Sequence, residues 1–122
     1  MKLQLIIEKA DGILWGRVSY SKDLVVDSAA TLPVLEKKLK KVLNDFHKLE
    51  NVEFNYVYDL SVFFEQFSFL NQSKIAELSG INPGLLRQYA SGVKHPSKEQ
   101  ASKIQKAIHD LASKLKAVKI YA

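Results

Sequence analysis

Apolar and polar residues alternate through the first part of the chain, which is the pattern of half-buried strands. The alternation begins with Leu3, Leu5 and Ile7. The dipeptide Asp11-Gly12 follows and is a strong signal for a hairpin turn. We therefore expect a second strand over Ile13–Tyr20 and a short third strand at Leu24–Asp27.

The apolar period then changes from that of a strand to that of an amphipathic helix. Thr31 is expected to cap this helix, with Pro33 in its first turn. Its apolar stripe consists of Leu32, Leu35, Leu39, Val42, Leu43 and Phe46. Alternation returns over Val52–Tyr58. The order β-β-β-α-β predicts a small sheet with one helix across it.

From residue 59 onward every pattern is helical. Asp59–Phe67 predicts a short helix, and Ser97-Lys98-Glu99-Gln100 is a capping-box sequence that opens a last one. The stripe of that last helix is Ile104, Ala107, Ile108, Leu111 and Leu115. In the following segment, Val118 and Ile120 are candidates for a strand or a dimer contact. We therefore predict an α+β protein, with a β-β-β-α-β domain over residues 1–58 and an all-α domain over residues 59–122.

Two short helices joined by a tight turn are predicted between Asn71 and Ser97. Asn71 and Asn82 are placed to cap them, and Pro83 suits the first position of the second helix. Gly80 suits the left-handed turn between them. The residues expected to face inward are Ile75, Ala76, Leu78, Ile81, Leu86 and Tyr89. This arrangement is that of a helix-turn-helix, whose second helix enters a DNA major groove.

The outer side of this motif supplies the candidate DNA-binding residues. Arg87 and Gln88 are the best candidates to read bases, because a guanidinium matches guanine and an amide matches adenine. The other positions on the outer side of the second helix are Asn82, Gly84 and Ser91. Gln72 and Ser73 are expected to contact phosphate, and Lys94 and His95 to contact the DNA backbone.

The same surface also fits a protein-interaction module that has lost DNA binding. Pro83 and Gly84 replace two side chains that often read bases, so the surface offers fewer donors. Leu85 suits either a protein contact or a thymine methyl group.

The distribution of net charge fits DNA binding, although ordinary surface lysines would explain the charge equally well. Residues 1–58 carry nine basic and eight acidic side chains, whereas residues 59–122 carry nine basic and five acidic ones. The excess positive charge therefore lies in the helical half, as expected for a polyanion-binding domain. With no cysteine, no secretory signal and no run of about 20 apolar residues, we expect a cytoplasmic protein that does not enter a membrane.

Nothing in the chain predicts catalysis, a metal or a cofactor. The acids of the first half are scattered over turns and strand ends, and the three histidines lack metal-ligand spacing. Trp15 is expected in the core or in an interface. The lysine-rich face over 37–48 is expected to be solvated, with contact to a toxin or to nucleic acid as the alternative.

The residues from Asn71 to Ser97 resemble the Cro/repressor type of helix-turn-helix. The matching features are Asn71-Gln72, Ile75-Ala76, Gly80-Ile81, Leu86, Tyr89, Gly92 and Pro96-Ser97. The departure is Ala90, where many members carry Glu.

Taken together with the first half, the chain resembles the HicB family of antitoxins. That resemblance implies a partial ribonuclease-H-like domain that binds and masks a small mRNA-cleaving toxin of the HicA type. It also implies a second domain that binds double-stranded DNA at the operon's own promoter, in a homodimer or tetramer. Two alternatives stay open: a stand-alone transcriptional regulator without a toxin, and an interaction module without DNA binding.

Overall fold

The computed structural model describes all 122 residues and confirms the α+β class, with a four-stranded mixed sheet and five helices. The strands are β1 Lys2–Ala10, β2 Ile13–Tyr20, β3 Asp23–Ala29 and β4 Glu53–Tyr58. The helices are α1 Leu32–His47, α2 Leu60–Gln66, α3 Gln72–Ser79, α4 Pro83–Ser91 and α5 Lys98–Ala117. The chain divides into two compact units, Met1–Phe63 and Phe64–Ala122. No helix combines the length and the apolar composition needed to cross a membrane.

The sheet of the first unit has the strand order β3-β2-β1-β4. β1 pairs antiparallel with β2, β2 pairs antiparallel with β3, and β1 pairs parallel with β4. The predicted hairpin between β1 and β2 is confirmed, since Asp11 and Gly12 both have positive φ, 52° and 75°. The third strand is longer than expected, because its pairing with β2 continues to Ala29.

One face of this sheet carries the core. Leu5, Ile7, Leu14 and Val18 point toward α1, whose Leu35, Leu39 and Leu43 are fully buried. Gly16 lies among them, and a Cβ at this position would lie 3.0 Å from both Leu35 Cδ2 and Leu5 Cδ1. The absence of a side chain at Gly16 therefore lets α1 approach the sheet closely.

Two expectations for α1 need correction. Thr31 occupies the N-cap position, but its side chain makes no capping hydrogen bond. Pro33 explains part of this, because it removes one of the two amides that such a cap normally reaches. Phe46 is 78% exposed and therefore does not share the buried stripe of Leu35, Leu39 and Leu43. In the same last turn of α1, His47 Nε2 lies 3.1 Å from Asp23 Oδ2, at the start of β3.

β4 is tied to α1 by a tyrosine. The Tyr56 hydroxyl donates a hydrogen bond to the Glu36 carboxylate, and the Tyr56 ring stacks on Tyr58 with centroids 5.8 Å apart. The hydrogen bond to Glu36, with smaller contributions from burial and the Glu36 charge, raises the pKa of Tyr56 to about 12. Burial is the main cause that raises the pKa of Tyr58.

The helices of the second unit are organised around α3, which packs against both α4 and α5. Its predicted inward residues Ile75 and Ala76 are buried, as are Leu86 and Tyr89 of α4. Leu78 was expected to be buried but is 43% exposed, so the inward side of α3 is narrower than its apolar positions predict.

Two expectations for α5 need correction. Its N-cap forms, since Ser97 Oγ accepts from the Gln100 amide at 3.2 Å. The reciprocal half of the capping box is missing, because Gln100 Oε1 is buried without a hydrogen-bond partner. Leu115 is 62% exposed, although it continues the apolar stripe that begins at the buried Ile104.

Candidate nucleic-acid interface

The connection between α3 and α4 is held by backbone geometry that the sequence predicted. Asn71 Oδ1 accepts from the Lys74 amide at 3.0 Å and starts α3. Gly80 ends α3 with a φ of 72°, a left-handed conformation that suits glycine. Ile81 is buried, and the Ile81 amide donates to the Ala76 carbonyl at 3.1 Å. α4 therefore begins at a fixed position relative to α3.

Asn82 fixes the N-terminus of α4. Its Oδ1 accepts from the amides of Gly84 and Leu85, at 2.8 Å and 3.2 Å. These bonds satisfy two of the amides that a helix start leaves without partners. Because this oxygen is occupied by the cap, any contact of the Asn82 side chain with a base would use its amide nitrogen.

Five of the nine candidate DNA-binding residues line one shallow groove. They are Gln72 from the start of α3 and Gly84, Arg87, Gln88 and Ser91 from α4, together with Ala90. The groove therefore brings the two predicted base-reading residues beside a predicted phosphate-contacting residue.

Arg87 supplies the positive charge of this groove. Its side chain is exposed, and Nη2 would lie 3.8 Å from a Cβ at Gly84, one turn earlier on α4. Arg87 forms no ion pair with a carboxylate of the chain, unlike Lys74, which lies 3.5 Å from Glu77. The guanidinium is therefore available to an external anion or to the acceptors of a guanine.

The other four candidates lie outside the groove. Ser73 is exposed on the first turn of α3, next to Gln72, and Asn82 is the cap described above. Lys94 and His95 are exposed in the segment after α4. That segment is joined to α4 by the Lys94 amide, which donates to the Gln88 carbonyl at 3.2 Å.

The net charge of the chain is concentrated in the unit that carries this groove. Residues 64–122 hold nine basic and four acidic side chains, which leaves +5, whereas residues 1–63 hold nine of each. Three of the four acids lie beside lysines of their own helices, as in the pair Lys106–Asp110 at 2.9 Å. The uncompensated charge gives this unit an attraction for polyanions.

A second candidate surface lies on the first unit, on the sheet face turned away from α1. Large apolar side chains are exposed there: Ile13, Trp15, Leu24, Val26 and Val57. Trp15 and Val26 line a small concavity with Glu8 and Arg17, whose side chains form an ion pair at 2.7 Å. Exposed apolar side chains that lie together in this way are typical of protein-binding surfaces.

Trp15 is thus not a core residue, since it is 43% exposed. The alternative expectation, that Trp15 contributes to an interface, stays a prediction. The signal for the surface was present in the sequence, because β2 has large apolar residues at three successive positions, Ile13, Leu14 and Trp15. A strand with one solvated face would carry a polar residue at the outward positions. No group of three or more His, Asp and Glu side chains lies close enough to share a metal ion.

Comparisons of the chain with protein-family models, with curated proteins and with solved structures found no match.

Proposed function

We propose that this protein is a sequence-specific DNA-binding antitoxin that represses its own operon and neutralises a small mRNA-cleaving toxin of the HicA type. In this proposal α3 and α4 are the two helices of a helix-turn-helix, and α4 enters the major groove. The chain acts as a binding protein without catalytic residues or a cofactor, in the cytoplasm, as a homodimer or tetramer.

The observation that carries the proposal is the groove beside α4. Side chains suited to guanine, adenine and phosphate line it together, and Arg87 has no competing carboxylate. The fixed start of α4 supports the same reading, because base contacts require that the helix be held rigidly. The net charge of +5 in residues 64–122 adds the non-specific attraction to phosphate on which such proteins depend.

Toxin binding is assigned to the first unit. Its support is the exposed apolar sheet face around Trp15 and Val26, which offers a protein partner a surface separate from the DNA-binding groove. A stand-alone regulator would share the groove but would have no toxin encoded next to its gene.

The test of DNA binding is a fluorescence-anisotropy titration of the purified protein. One duplex is taken from upstream of its own gene and the other is scrambled, and each is titrated at two salt concentrations. We expect preference for the native duplex and a steep loss of affinity with salt, because bound cations are released from the phosphates.

Variants of Arg87 separate base reading from simple charge. Arg87→Ala is expected to cost about 1–3 kcal/mol on the native duplex and to reduce the preference for it. Arg87→Lys keeps the charge but loses the two-pronged donor geometry, so it should lose preference while retaining binding to the scrambled duplex. Equal losses on both duplexes would contradict a base-reading role.

Lys94→Ala serves as the phosphate-contact counterpart. It should weaken binding to both duplexes alike and reduce the salt slope by about 1. Lys22→Ala is the charge-matched control, since Lys22 is exposed in the β2–β3 turn of the other unit. Weak, salt-insensitive binding by the wild-type protein would favour the interaction module, which the half-buried Leu85 beside Pro83 and Gly84 also fits.

A further inference from the structure

β4 forms one edge of the sheet in the first unit, with β1 as its only strand partner. The Glu53 amide donates to the Met1 carbonyl at 2.9 Å, so the backbone groups of Glu53 point toward β1. The direction of these groups alternates along a strand, and the amides and carbonyls of Phe54 and Tyr56 therefore point away from β1. This free edge offers two donors and two acceptors to an added strand.

The opposite edge of the sheet, formed by β3, is covered by the protein itself. α1 packs against β3, and Lys38 Nζ donates to the Ser28 carbonyl at 2.8 Å. The Ser28 amide donates to Asp27 Oδ1 at 2.8 Å. Lysines, prolines and bulges are common means of protecting an edge strand. β4 contains neither lysine nor proline, and its register with β1 is continuous, so these protections are missing there.

The side of β4 that faces α1 carries a row of aromatic side chains: Phe54, Tyr56 and Tyr58. α1 reaches this row through side chains alone, since Lys40 Nζ lies 5.8 Å from the centre of the Phe54 ring and Glu36 accepts from the Tyr56 hydroxyl. Tyr56 is 45% exposed and Phe54 is half-buried. A strand beside β4 would cover the exposed part of this row if its side chains on that side were apolar.

The other side of β4 is acidic at its start. Glu53 is exposed there and forms no ion pair. A basic residue opposite Glu53 in an added strand is favoured, and an acidic one is opposed. In an antiparallel pair of two β4 strands centred on Tyr56, Glu53 of each copy would lie opposite Asp59 of the other. A basic segment of a different protein therefore fits this edge better than a second copy does.

We propose that the free edge of β4 binds an extended segment of a partner protein as an added strand. The segment places apolar side chains against Phe54 and Tyr56 and a basic side chain opposite Glu53. In this mode of recognition, backbone hydrogen bonds supply affinity and alternate side chains supply selectivity. The inference goes beyond the proposed function and does not depend on it, because the groove beside α4 and the concavity at Trp15 use other residues.

The probe is an eight-residue peptide of alternating valine and lysine, blocked at both termini and labelled with a fluorophore. Its anisotropy is titrated with the full chain, and hydrogen exchange of the Phe54 and Tyr56 amides in the complex is followed by NMR. Two further peptides carry N-methyl groups on all valines or on all lysines. Successive amides of a strand point to opposite edges, so only one of these two peptides loses the donors that face β4.

We expect bound peptide to slow exchange of the Phe54 and Tyr56 amides at least about tenfold. Only one N-methylated peptide should lose binding: the valine-methylated one if the added strand is antiparallel to β4, the lysine-methylated one if it is parallel. A parent peptide that does not bind would overturn the inference, as would binding without protection of these amides. Binding by both N-methylated peptides, or by neither, would also overturn it.

Glu53→Lys reverses the charge beside the added strand at an exposed position and keeps the backbone pairing with β1. The dissociation constant of the peptide should rise at least about fivefold. Glu77→Lys makes the same charge change at an exposed position of α3 and should alter it less than about twofold. Equal effects of the two variants would overturn the inference, because net charge alone would then explain binding.

Sedimentation equilibrium of the wild-type and Glu53→Lys chains without peptide tests the edge for a second copy. We expect the same mass for both chains. A difference in mass would show that β4 pairs with another copy of this chain, and this result would overturn the assignment of the edge to a different protein.

Discussion

At the scale of single residues, Gly16 decides how closely the helix of the first unit lies on its sheet. A Cβ at this position would meet Leu35, Leu5 and Leu39 side chains at 3.0–3.1 Å. Contacts this short force neighbouring side chains to move. The residue is therefore a packing requirement inside a strand, where glycine is otherwise unfavourable.

We predict that Gly16→Ala lowers the free energy of unfolding of the first unit by about 1–3 kcal/mol, because the added methyl group overpacks the core. Urea unfolding followed by tryptophan fluorescence measures this, since Trp15 is the only tryptophan and lies in β2. Ser19→Ala, at an exposed position of the same strand, should change the unfolding midpoint little. A stabilised Gly16→Ala protein would show that the close contact relaxes at no cost.

Helix caps could be predicted from the local sequence, whereas the burial of some apolar residues could not, because it depends on the packing of other elements. Asn71, Asn82 and Ser97 cap their helices as expected, because a cap depends only on the adjacent amides. Phe46 and Leu115 have helical spacing but end exposed. Their burial depends on which neighbouring elements cover them, and periodicity within one helix does not contain that information.

At the scale of elements, α4 is a nine-residue helix whose start depends on one side chain. Asn82 supplies the acceptor for two amides, and Pro83 fills a position that needs no donor. A helix of this length is marginal by itself and relies on its cap and on the buried Leu86 and Tyr89.

Asn82→Ala should therefore reduce the free energy of unfolding of the helical unit by about 0.5–2 kcal/mol. Thermal unfolding followed by circular dichroism at the helix band measures the change. Ser102→Ala on the exposed side of α5 is the control, since it removes a small polar group without a cap. An Asn82→Ala protein with an unchanged transition would mean that packing of Leu86 and Tyr89 alone fixes the start of α4.

Most of the strands and helices could be predicted from the sequence. The bounds of β2 and the Asp11-Gly12 hairpin were predicted from alternation and turn chemistry. The sheet order was not, because the pairing of β1 with β4 joins residues that are distant in the chain. The groove beside α4 was predicted only as a set of outward positions; its lining depends on how α3 and α4 pack.

At the scale of the whole molecule, the two candidate surfaces lie on separate compact units with different charge. The sheet face around Trp15 belongs to a unit with no formal net charge, and the groove belongs to one with +5. Under the proposed function, toxin binding and DNA binding depend on different residues, so each can be removed by mutation without the other.

We predict that Trp15→Ala weakens binding of the proposed toxin by at least about 2 kcal/mol, because a partly exposed tryptophan in a concavity is a typical binding hot spot. Calorimetric titration with the product of a small reading frame next to the gene measures this. Phe46→Ala removes another exposed aromatic from α1 and is the matched control. The same Trp15→Ala protein should bind the native duplex normally.

Two results would contradict the assignment of toxin binding and DNA binding to separate surfaces. One is an equal loss of toxin binding in Trp15→Ala and Phe46→Ala, which would remove the sheet face as the specific surface. The other is a loss of DNA binding in Trp15→Ala, which would mean that the two activities share one surface.

The parallel pairing of β1 with β4 has a consequence for how the chain acquires its structure during synthesis. β1 and β2 can form their hairpin as soon as residue 20 has emerged, because the contact is local. The other edge of β1 stays open until Glu53–Tyr58 have been made and α1 has formed between them. Throughout that interval Lys2–Ile7 presents unpaired backbone groups to the cell, so this nascent edge is the segment that a chaperone would have to protect.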